Sequence, residues 1–366
     1  MAEKVTRELD TPCVAVDLDR LEANLQRTAA LASAANIGLR PHTKTHKSVQ
    51  ISRRQLELGA VGITVAKLGE AEVMAEAGIA DIVIAYPIVG ESKLKRLERL
   101  LRRIRVAVST DNYEVAAALS ELGERLGRRI PLYIDVNTGL NRCGMEPGPE
   151  TAELVQAISG LPGVSVAALM THAGHAYAES DREGARRVAR EEALALLETA
   201  ELIRGQGAPA PGISVGSTPT SKFAGETPGV TEMRPGAYVF GDCSQLFAGL
   251  IEEEECALRV YATVVSTPRP GTAIIDAGSK TLSSDLCKHR AGYGYIPAIP
   301  DAVISSLSEE HGIVTLPPGA YLQIGDIVAL IPNHCCTVVN LHDRLTGMQA
   351  GRPVSTIEVD ARGRVR

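Results

Sequence analysis

The sequence predicts an α/β fold in which a (β/α)₈ TIM barrel precedes a second, mostly β domain. Eight apolar segments alternate with amphipathic helical segments over about 230 residues, which is the count of such a barrel. These segments are continuously apolar rather than alternating, as expected for parallel strands covered on both faces. A doubly wound open sheet is the alternative, but it usually has fewer units and a glycine-rich turn after its first strand, and we find neither.

The elements of the barrel are predicted in order from their apolar periodicity. A strand-like run at 13–16 precedes a helix over 18–35, with Asp17 or Asp19 as its cap. The predicted barrel strands are 39–43, 62–66, 81–86, 105–109, 131–135, 166–171, 212–216 and 233–240. The predicted helices between them include 93–101, 113–126, 151–158 and 182–204, and the charged stretch 182–192 is expected to be a solvated helix face.

The pattern changes near Gly241. From there, short strands are predicted at 259–266, 273–276, 312–316, 327–331 and 355–359, with Gly and Pro at loop-like intervals. We therefore expect the barrel to span 14–245 and the β domain to span 246–366, with segment 1–13 as a candidate addition to the β domain.

Composition excludes several classes of protein. The 366 residues are 45% hydrophobic and 22% charged with a net charge of −6, which gives no electrostatic argument for binding nucleic acid or a membrane surface. No apolar run is long enough to span a bilayer, and the charged N-terminus lacks the apolar core of a signal peptide. Seven scattered cysteines then suggest free thiols in a reducing, cytoplasmic environment.

The octapeptide RPHTKTHK, at 40–47, holds the first candidate catalytic residue. Lys44 follows the first predicted barrel strand, where Arg40, His42 and Lys47 are expected to surround its ammonium group. Like charges and partial burial both lower the pKa of a lysine, and a deprotonated lysine forms Schiff bases with carbonyls. A solvated basic loop is the alternative for this octapeptide on its own.

The ends of later strands carry further candidates, because catalytic groups of such barrels lie in the loops after the strands. These candidates are Arg142, His172, His175, Tyr177 and Arg234. The segment Gly216-Ser217-Thr218-Pro219 follows strand seven, where these barrels usually bind phosphate. A plain turn or helix cap is the alternative.

A candidate metal pair follows the run 327–331. If the chain there is extended, His334 and Cys336 point the same way while Cys335 points elsewhere. Imidazole and thiolate suit Zn²⁺, and two protein ligands leave positions open for water or substrate, as in a catalytic Lewis acid. An incidental His-x-Cys is the alternative.

Eight motifs in order, HTK, NRCG, THAGH, GSTPT, MRPG, DAGSK, EEHG and PNHxC, resemble the D-threonine aldolase / D-serine dehydratase family of fold-type III pyridoxal-phosphate enzymes. The match runs from Asp10 to Cys336. The resemblance implies an alanine racemase-like barrel followed by a β domain. It also implies a homodimer with sites near the subunit junction.

The resemblance also implies roles for matched residues. Lys44 would bind the cofactor, Arg142 would reach its phenolate oxygen, and His172 would pack beside its ring. Arg234 would lie at the pyridine nitrogen, where a permanently charged guanidinium makes the ring a weaker electron sink. Tyr177 is a further cofactor-binding candidate. The phosphate would be held by Gly216, Ser217, Thr218, Gly236 and Ala237.

The metal pair separates branches of this family. Well-known D-threonine aldolases carry His-x-Asp for ions like Mn²⁺, whereas D-serine dehydratases of this fold carry His-x-Cys and use Zn²⁺. His334-x-Cys336 is similar to the second branch, with Zn²⁺ expected and Mn²⁺ as the alternative.

The implied function is a lyase acting on small D-β-hydroxy amino acids, converting D-serine or a 3-hydroxy D-amino acid to a 2-oxo acid and ammonia. Retro-aldol cleavage of the D-threonine aldolase type is the main alternative. An amino acid racemase and a non-catalytic pyridoxal-phosphate-binding protein are two others.

Overall fold

The structure, a computed structural model, describes residues 9–366 and contains two 8-stranded sheets. Strand β1 (Cys13–Asp17) belongs to the second sheet, and helix α1 (Leu18–Ala34) carries the chain to the first. The first sheet is the barrel, and its strands are β2 (Gly38–Leu39), β3 (Ile63–Val65), β4 (Asp81–Ile84), β5 (Arg105–Thr110), β6 (Ile130–Asp135), β7 (Val164–Met170), β8 (Gly212–Val215) and β9 (Glu232–Met233).

All neighbouring strands of the barrel are parallel, in the order β2-β9-β8-β7-β6-β5-β4-β3. A parallel bridge between His42 and Thr64 joins the chain after β2 to β3, so the sheet closes on itself. This arrangement confirms the predicted fold class.

Helices cover the outside of the barrel: α2 (Val49–Glu57), α3 (Leu68–Glu76), α4 (Glu91–Leu101), α5 (Tyr113–Leu126), α6 (Pro149–Ser159) and α7 (Arg182–Gly205). Helix α5 shows how local sequence sets the ends. Asn112 Oδ1 accepts a hydrogen bond from Val115 N at 2.9 Å, and Gly127 ends the helix at φ 63°. A side-chain cap satisfies a free N–H group, and glycine adopts the left-handed conformation without strain.

The second sheet contains β10 (Leu258–Arg269), β11 (Thr272–Ile275), β12 (Val303–Leu307), β13 (Gly312–Thr315), β14 (Ile327–Leu330), β15 (Arg344–Gln349) and β16 (Arg352–Glu358). Its order is β12-β13-β11-β10-β1-β15-β16, with β14 also paired to β10. The short helices are α8 (Thr218–Ser221), α9 (Cys243–Leu246), α10 (Ser279–Leu282) and α11 (Cys335–Leu341). Strands β12 and β15 were not predicted, because their sequences VISSL and RLTGMQ mix polar and apolar residues.

The predicted start of the barrel at residue 14 needs correction. Strand β1 pairs antiparallel with β10 and parallel with β15, so it belongs to the β domain. Of the segment 1–13 that was a candidate addition to that domain, residues 1–8 lie outside the described residues.

The predicted strand at 233–240 is also wrong in its extent. Strand β9 ends at Met233, and a 3₁₀ turn occupies Ala237–Val239. Proline has no N–H group for a strand ladder, so Pro235 ends the strand and turns the chain across the barrel mouth.

The two largest hydrophobic clusters among the described residues are the barrel core and a second core that includes the β domain. The barrel core contains the fully buried Ile82, Val106 and Leu132, each worth about 1.5–3 kcal/mol of burial. The second core joins Leu25 of α1 and Phe240 to strands of the β domain. Because barrel segments pack into this second core, the residues at the junction between the domains are held in fixed positions.

Within residues 9–366, no helix combines the length and the apolar composition needed to cross a membrane. All seven cysteines are free thiols, as predicted.

Candidate active site

A cavity of about 330 Å³ opens at the carboxyl ends of the barrel strands, against the β domain. It brings together residues from 42 to 336 of the chain. The predicted site residues that line it are Lys44, Arg142, His172, Tyr177, Ser217, Thr218, Arg234, Gly236, Ala237, His334 and Cys336. Gly216 and His175 are predicted candidates that lie outside this lining. The carbonyl oxygen of Gly216 lies 2.9 Å from His172 Nδ1, and the ring of His175 lies beside Gly139.

Lys44 follows β2 and points into the cavity. Burial lowers the pKa of its ammonium group, as do the positive charges of Arg142 and Arg234, while Cys336 and Glu70 oppose the shift. At a given pH, a larger fraction of Lys44 is therefore unprotonated than of a solvated lysine. This is the property that a lysine needs to attack a carbonyl carbon.

The predicted cluster of cations around Lys44 is wrong. Arg40 Nε donates to Glu232 Oε2 at 2.6 Å inside the barrel, and Lys47 Nζ lies 2.9 Å from Glu70 Oε1. Burial and the nearby cations hold the pKa of His42 well below its usual range, so its ring is neutral. The charges that act on Lys44 come from later loops, which sequence spacing could not show.

Arg234 is held in place by a chain of buried polar groups. Its guanidinium donates to Ser214 Oγ and to the carbonyl oxygen of Thr171. Ser214 Oγ in turn donates to Glu232 Oε1 at 2.6 Å. The cation therefore keeps one fixed orientation at the cavity wall, with a carboxylate behind it. Arg142, on the loop after β6, is exposed and also lines the cavity.

Two ring side chains keep their neutral forms in the cavity. Burial lowers the pKa of His172 to about 3, helped by Lys44 and the two arginines. Burial, with the negative charges near it, raises the pKa of Tyr177 well above its usual range. A neutral imidazole can pack against a flat ring without a charge, and a phenol can donate a hydrogen bond.

Hydroxyl and amide groups from two loops converge in the predicted phosphate cradle. The N–H groups of Gly236 and Ala237 point at Thr218 Oγ1, at 3.2 and 3.0 Å, and Ser217 caps α8. A Cβ atom at Gly236 would lie 2.7 Å from Thr45 Oγ1, so only glycine fits there. The cluster offers neutral donors suited to an anion.

The extended geometry predicted for the candidate metal pair is wrong, although both residues lie beside the same cavity. His334 is the N-cap of α11 and Cys336 lies in the first turn of that helix, so the segment is not extended. Both side chains nevertheless line the cavity, whereas Cys335 is fully buried. Cys335, His334 and Lys44 together hold the pKa of the Cys336 thiol well below its usual range. A thiolate and an imidazole are ligands for a borderline-soft cation.

Within residues 9–366, no cluster of three or more His, Cys, Asp or Glu side chains is arranged to hold a metal ion. His334 and Cys336 would supply only two ligands, so a bound cation would keep open positions for water or substrate.

Three residues around the cavity were missed from the sequence. Thr45 Oγ1 contacts Cys336 Sγ at 3.1 Å, and Asp242 Oδ2 lies 3.2 Å from His334 Nδ1. Glu192, expected on a solvated helix face, is buried on α7, and burial raises its pKa to about 7. The apolar residues around Glu192 at helical spacing were a usable signal, but no pattern places Asp242 beside His334.

A closed parallel barrel, a β domain and a lysine in a cavity between them define the alanine racemase-like class of pyridoxal-phosphate enzymes. Residues 16–244 match the family "Alanine racemase, N-terminal domain", and residues 257–348 match "Putative serine dehydratase domain". The chain belongs to the D-threonine aldolase / D-serine dehydratase family and is a pyridoxal-phosphate-dependent lyase.

Characterised relatives match over nearly the whole chain. The D-threonine aldolase of Arthrobacter sp. is 34% identical over 97% of this chain and 93% of its own length. The D-threo-3-hydroxyaspartate dehydratase of Delftia sp. (strain HT23) is 34% identical over 90% of this chain and 91% of its own. The crystal structure of D-threonine aldolase from Filomicrobium marinum superposes with a TM-score of 0.91, at 32% identity and 98% coverage of both chains.

Proposed function

We propose that this protein is a lyase that uses pyridoxal phosphate and a divalent cation to act on small D-β-hydroxy amino acids. The reaction we favour is β-elimination, which converts D-serine or another 3-hydroxy D-amino acid to a 2-oxo acid and ammonia. One observation carries the proposal: Lys44 and the pair His334 and Cys336 line the same cavity. That arrangement brings a base and a Lewis-acid site to one substrate.

The residues present fit pyridoxal phosphate. Ser217, Thr218, Gly236 and Ala237 supply hydroxyl and amide donors for its phosphate, and the close packing at Gly236 leaves room only for a residue without a side chain. Arg142 would reach the phenolate oxygen, Arg234 the pyridine nitrogen, and the neutral ring of His172 would pack beside the cofactor ring. When bound, the cofactor supplies a carbonyl carbon for amines and a conjugated ring that accepts an electron pair from Cα.

The chain's own residues then perform the proton transfers and the positioning. Lys44 would hold the cofactor through Nζ, and its free amine would take the proton from the substrate Cα. Its lowered pKa favours the unprotonated amine that both tasks require. Tyr177 remains a phenol beside Thr218, in the part of the cavity where the phosphate would lie.

A cation at this site would assist the departure of the β-hydroxyl, which is the more difficult bond cleavage of an elimination. Hydroxide is a poor leaving group, and a cation held by His334 and Cys336 would supply Lewis-acid assistance to the β-hydroxyl. Zn²⁺ suits the nitrogen and sulfur ligands, with Mn²⁺ as the alternative. Supporting this, structures of the Delftia dehydratase include variants of a histidine and of a cysteine two positions later, the cysteine variant in a metal-free form.

Retro-aldol cleavage to glycine and an aldehyde is the second candidate. It is favoured by the 34% identity to the Arthrobacter D-threonine aldolase, which equals the identity to the Delftia dehydratase. Both reactions need the same lysine and the same cation site, and they differ in whether the C–O or the Cα–Cβ bond breaks.

Side-by-side assays test the proposal. The cofactor-loaded protein is incubated with Zn²⁺ or Mn²⁺ and D-serine, D-threo-3-hydroxyaspartate or D-threonine, and 2-oxo acid, ammonia, glycine and aldehyde are measured. Oxo acid and ammonia in equal amounts support elimination, and glycine with aldehyde supports the aldol reaction. Oxo acid formation by Lys44→Ala at the wild-type rate would contradict the proposed catalytic role.

A homodimer with its sites near the subunit junction is also proposed, on the family resemblance. Light scattering of the loaded protein measures the assembly directly, and a monomer with full activity would contradict it.

A further inference from the structure

Asp242 is a buried carboxylate that contacts His334, one of the two candidate cation ligands, at Nδ1. Its side chain is 0% exposed, and its two oxygens have different partners. Oδ1 accepts from the N–H group of Gln245 at 3.2 Å, which caps α9. Oδ2 lies 3.2 Å from His334 Nδ1 and 3.1 Å from the N–H group of Cys335. One carboxylate therefore contacts a candidate ligand and the start of the helix that carries the other.

The contact to His334 selects one tautomer of its ring. Ionised carboxylates only accept hydrogen bonds, so Nδ1 carries the proton that is donated to Asp242. Nε2 is then the atom with a free lone pair, and His334 lines the cavity. A carboxylate behind a histidine is the usual means by which proteins orient a metal-ligating imidazole and raise its basicity.

The same carboxylate also fixes the position of Cys336. By accepting from Cys335 N, Asp242 anchors the first turn of α11, in which Cys336 is the second residue. Helix α9 holds the preceding segment as well, since Cys243 N donates to Pro332 O at 3.0 Å and Ser244 Oγ donates to Asn333 O at 2.9 Å. The segment that carries both candidate ligands is therefore fastened along its length to α9.

We propose that Asp242 is the positioning residue of the cation site, fixing the tautomer of His334 and the start of α11 so that His334 Nε2 and Cys336 Sγ bind one cation. The inference rests on the proposed function, which supplies the cation. A preformed pair of ligands loses little conformational freedom on binding, so affinity depends on the contacts of Asp242. A carboxylate that only caps α9 would leave cation affinity unchanged when replaced.

Cation affinity of Asp242→Asn tests the inference. Asparagine keeps the size of the side chain and one cap acceptor, but it loses the charge and the second acceptor that faces His334. The probe is Co²⁺ alone, titrated into the cofactor-loaded protein against a competing chelator and followed by its thiolate charge-transfer absorbance. We expect the Kd for Co²⁺ to rise about ten- to a hundred-fold.

Asp181→Asn is the matched control, because Asp181 caps α7 through Gly184 N at 2.8 Å and has no histidine partner. Its Kd for Co²⁺ should stay within about two-fold of the wild type. In Asp242→Asn, cofactor affinity and unfolding temperature should change far less than Co²⁺ affinity. An unchanged Kd, or an equal loss of cofactor and Co²⁺ affinity, overturns the positioning role.

A second measurement tests the inference without replacing Asp242. In the Zn²⁺-loaded wild type with ¹⁵N-labelled histidine, the His334 signals, assigned with His334→Gln, should show a protonated Nδ1 and a metal-bound Nε2. Metal bound through Nδ1 would overturn the inference. If the wild type has no Co²⁺ site that Cys336→Ser removes, the inference and the metal part of the proposed function both fail. If that site exists and Asp242→Asn binds Co²⁺ equally well, the inference alone fails.

Discussion

Thr45 Oγ1 lies 3.1 Å from Cys336 Sγ, although 291 positions separate the two residues in the chain. Thr45 follows Lys44, the proposed cofactor lysine, and Cys336 belongs to the first helical turn after strand β14 of the β domain. This contact joins the two halves of the site. A side chain from the barrel therefore holds a candidate ligand that the β domain supplies.

Replacing Thr45 with valine should weaken cation binding. Valine has nearly the same shape but no hydroxyl to donate to the Cys336 thiolate, so we expect about a ten-fold rise in the Kd for Zn²⁺. Thr346→Val is the control, because Thr346 accepts a similar bond from Cys13 Sγ at 3.3 Å in the second sheet, outside the cavity lining. Equal Zn²⁺ affinity in both variants, measured by chelator competition, would show that the Thr45 contact has no role.

Lys44→Ala should lose activity by about 10³-fold or more, because one side chain both holds the cofactor and moves the α-proton. Borohydride reduction of the loaded wild type should fix the cofactor on the peptide that contains Lys44, as read by mass spectrometry. Lys280→Ala is the control, since that lysine is exposed and pairs with Glu310. Cofactor found on another lysine of the wild type would refute the assignment.

The ion pair of Lys47 and Glu70 should be a large contributor to stability once one partner is removed. The two side chains are 7% and 2% exposed, so Glu70→Gln leaves a buried ammonium without its counterion. We expect the free energy of unfolding in urea to fall by about 3–5 kcal/mol. For the exposed pair of Lys280 and Glu310, at 65% and 61% exposure, Glu310→Gln should cost less than about 1 kcal/mol. Similar losses in the two variants would contradict the argument.

Glu192 should make stability depend on pH. Burial raises its folded-state pKa from 4.5 to about 7, so its stabilising, protonated form is complete below pH 4.5 and is lost as pH rises through about 7. Relative to wild type, Glu192→Gln should gain stability over this window, by on the order of 3 kcal/mol. Urea unfolding of both proteins from pH 5 to pH 8 measures the difference, and Glu191→Gln, on an exposed neighbour, is the control. A difference that does not vary with pH would disprove this.

Removal of the divalent cation should abolish elimination while the cofactor stays bound. His334 and Cys336 would supply only two ligands and leave open positions beside them, so a strong chelator could compete for the cation. We expect activity to fall at least about 10²-fold after dialysis and to return with Zn²⁺ or Mn²⁺. Cofactor absorbance before and after dialysis serves as the control. Full activity in chelator would exclude the cation from the reaction.

The sequence predicted the layers of the fold because parallel strands covered by helices have a periodic pattern of apolar residues. Helix α5 matched its predicted range of 113–126, since Asn112 and Gly127 are local end signals. Strands β12 and β15 lack such a pattern, because their side chains contact both solvent and other strands of the second sheet. Strand β9 is shorter than predicted because Pro235 interrupts a run whose apolar character continues.

The sequence by itself determined the barrel and the β domain and supplied the candidate site residues, through periodicity and short motifs that involve only neighbouring residues. Only the tertiary structure decided how those side chains are paired. It turned Arg40 and Lys47 away to Glu232 and Glu70, and it placed Arg142 and Arg234 near Lys44. It also set Asp242 behind His334 and Thr45 beside Cys336. These contacts join residues that are not neighbours in the chain. The closed barrel brings Arg40 and Lys47 to their carboxylates, and the packing of the barrel domain against the β domain brings Asp242 to His334 and Thr45 to Cys336.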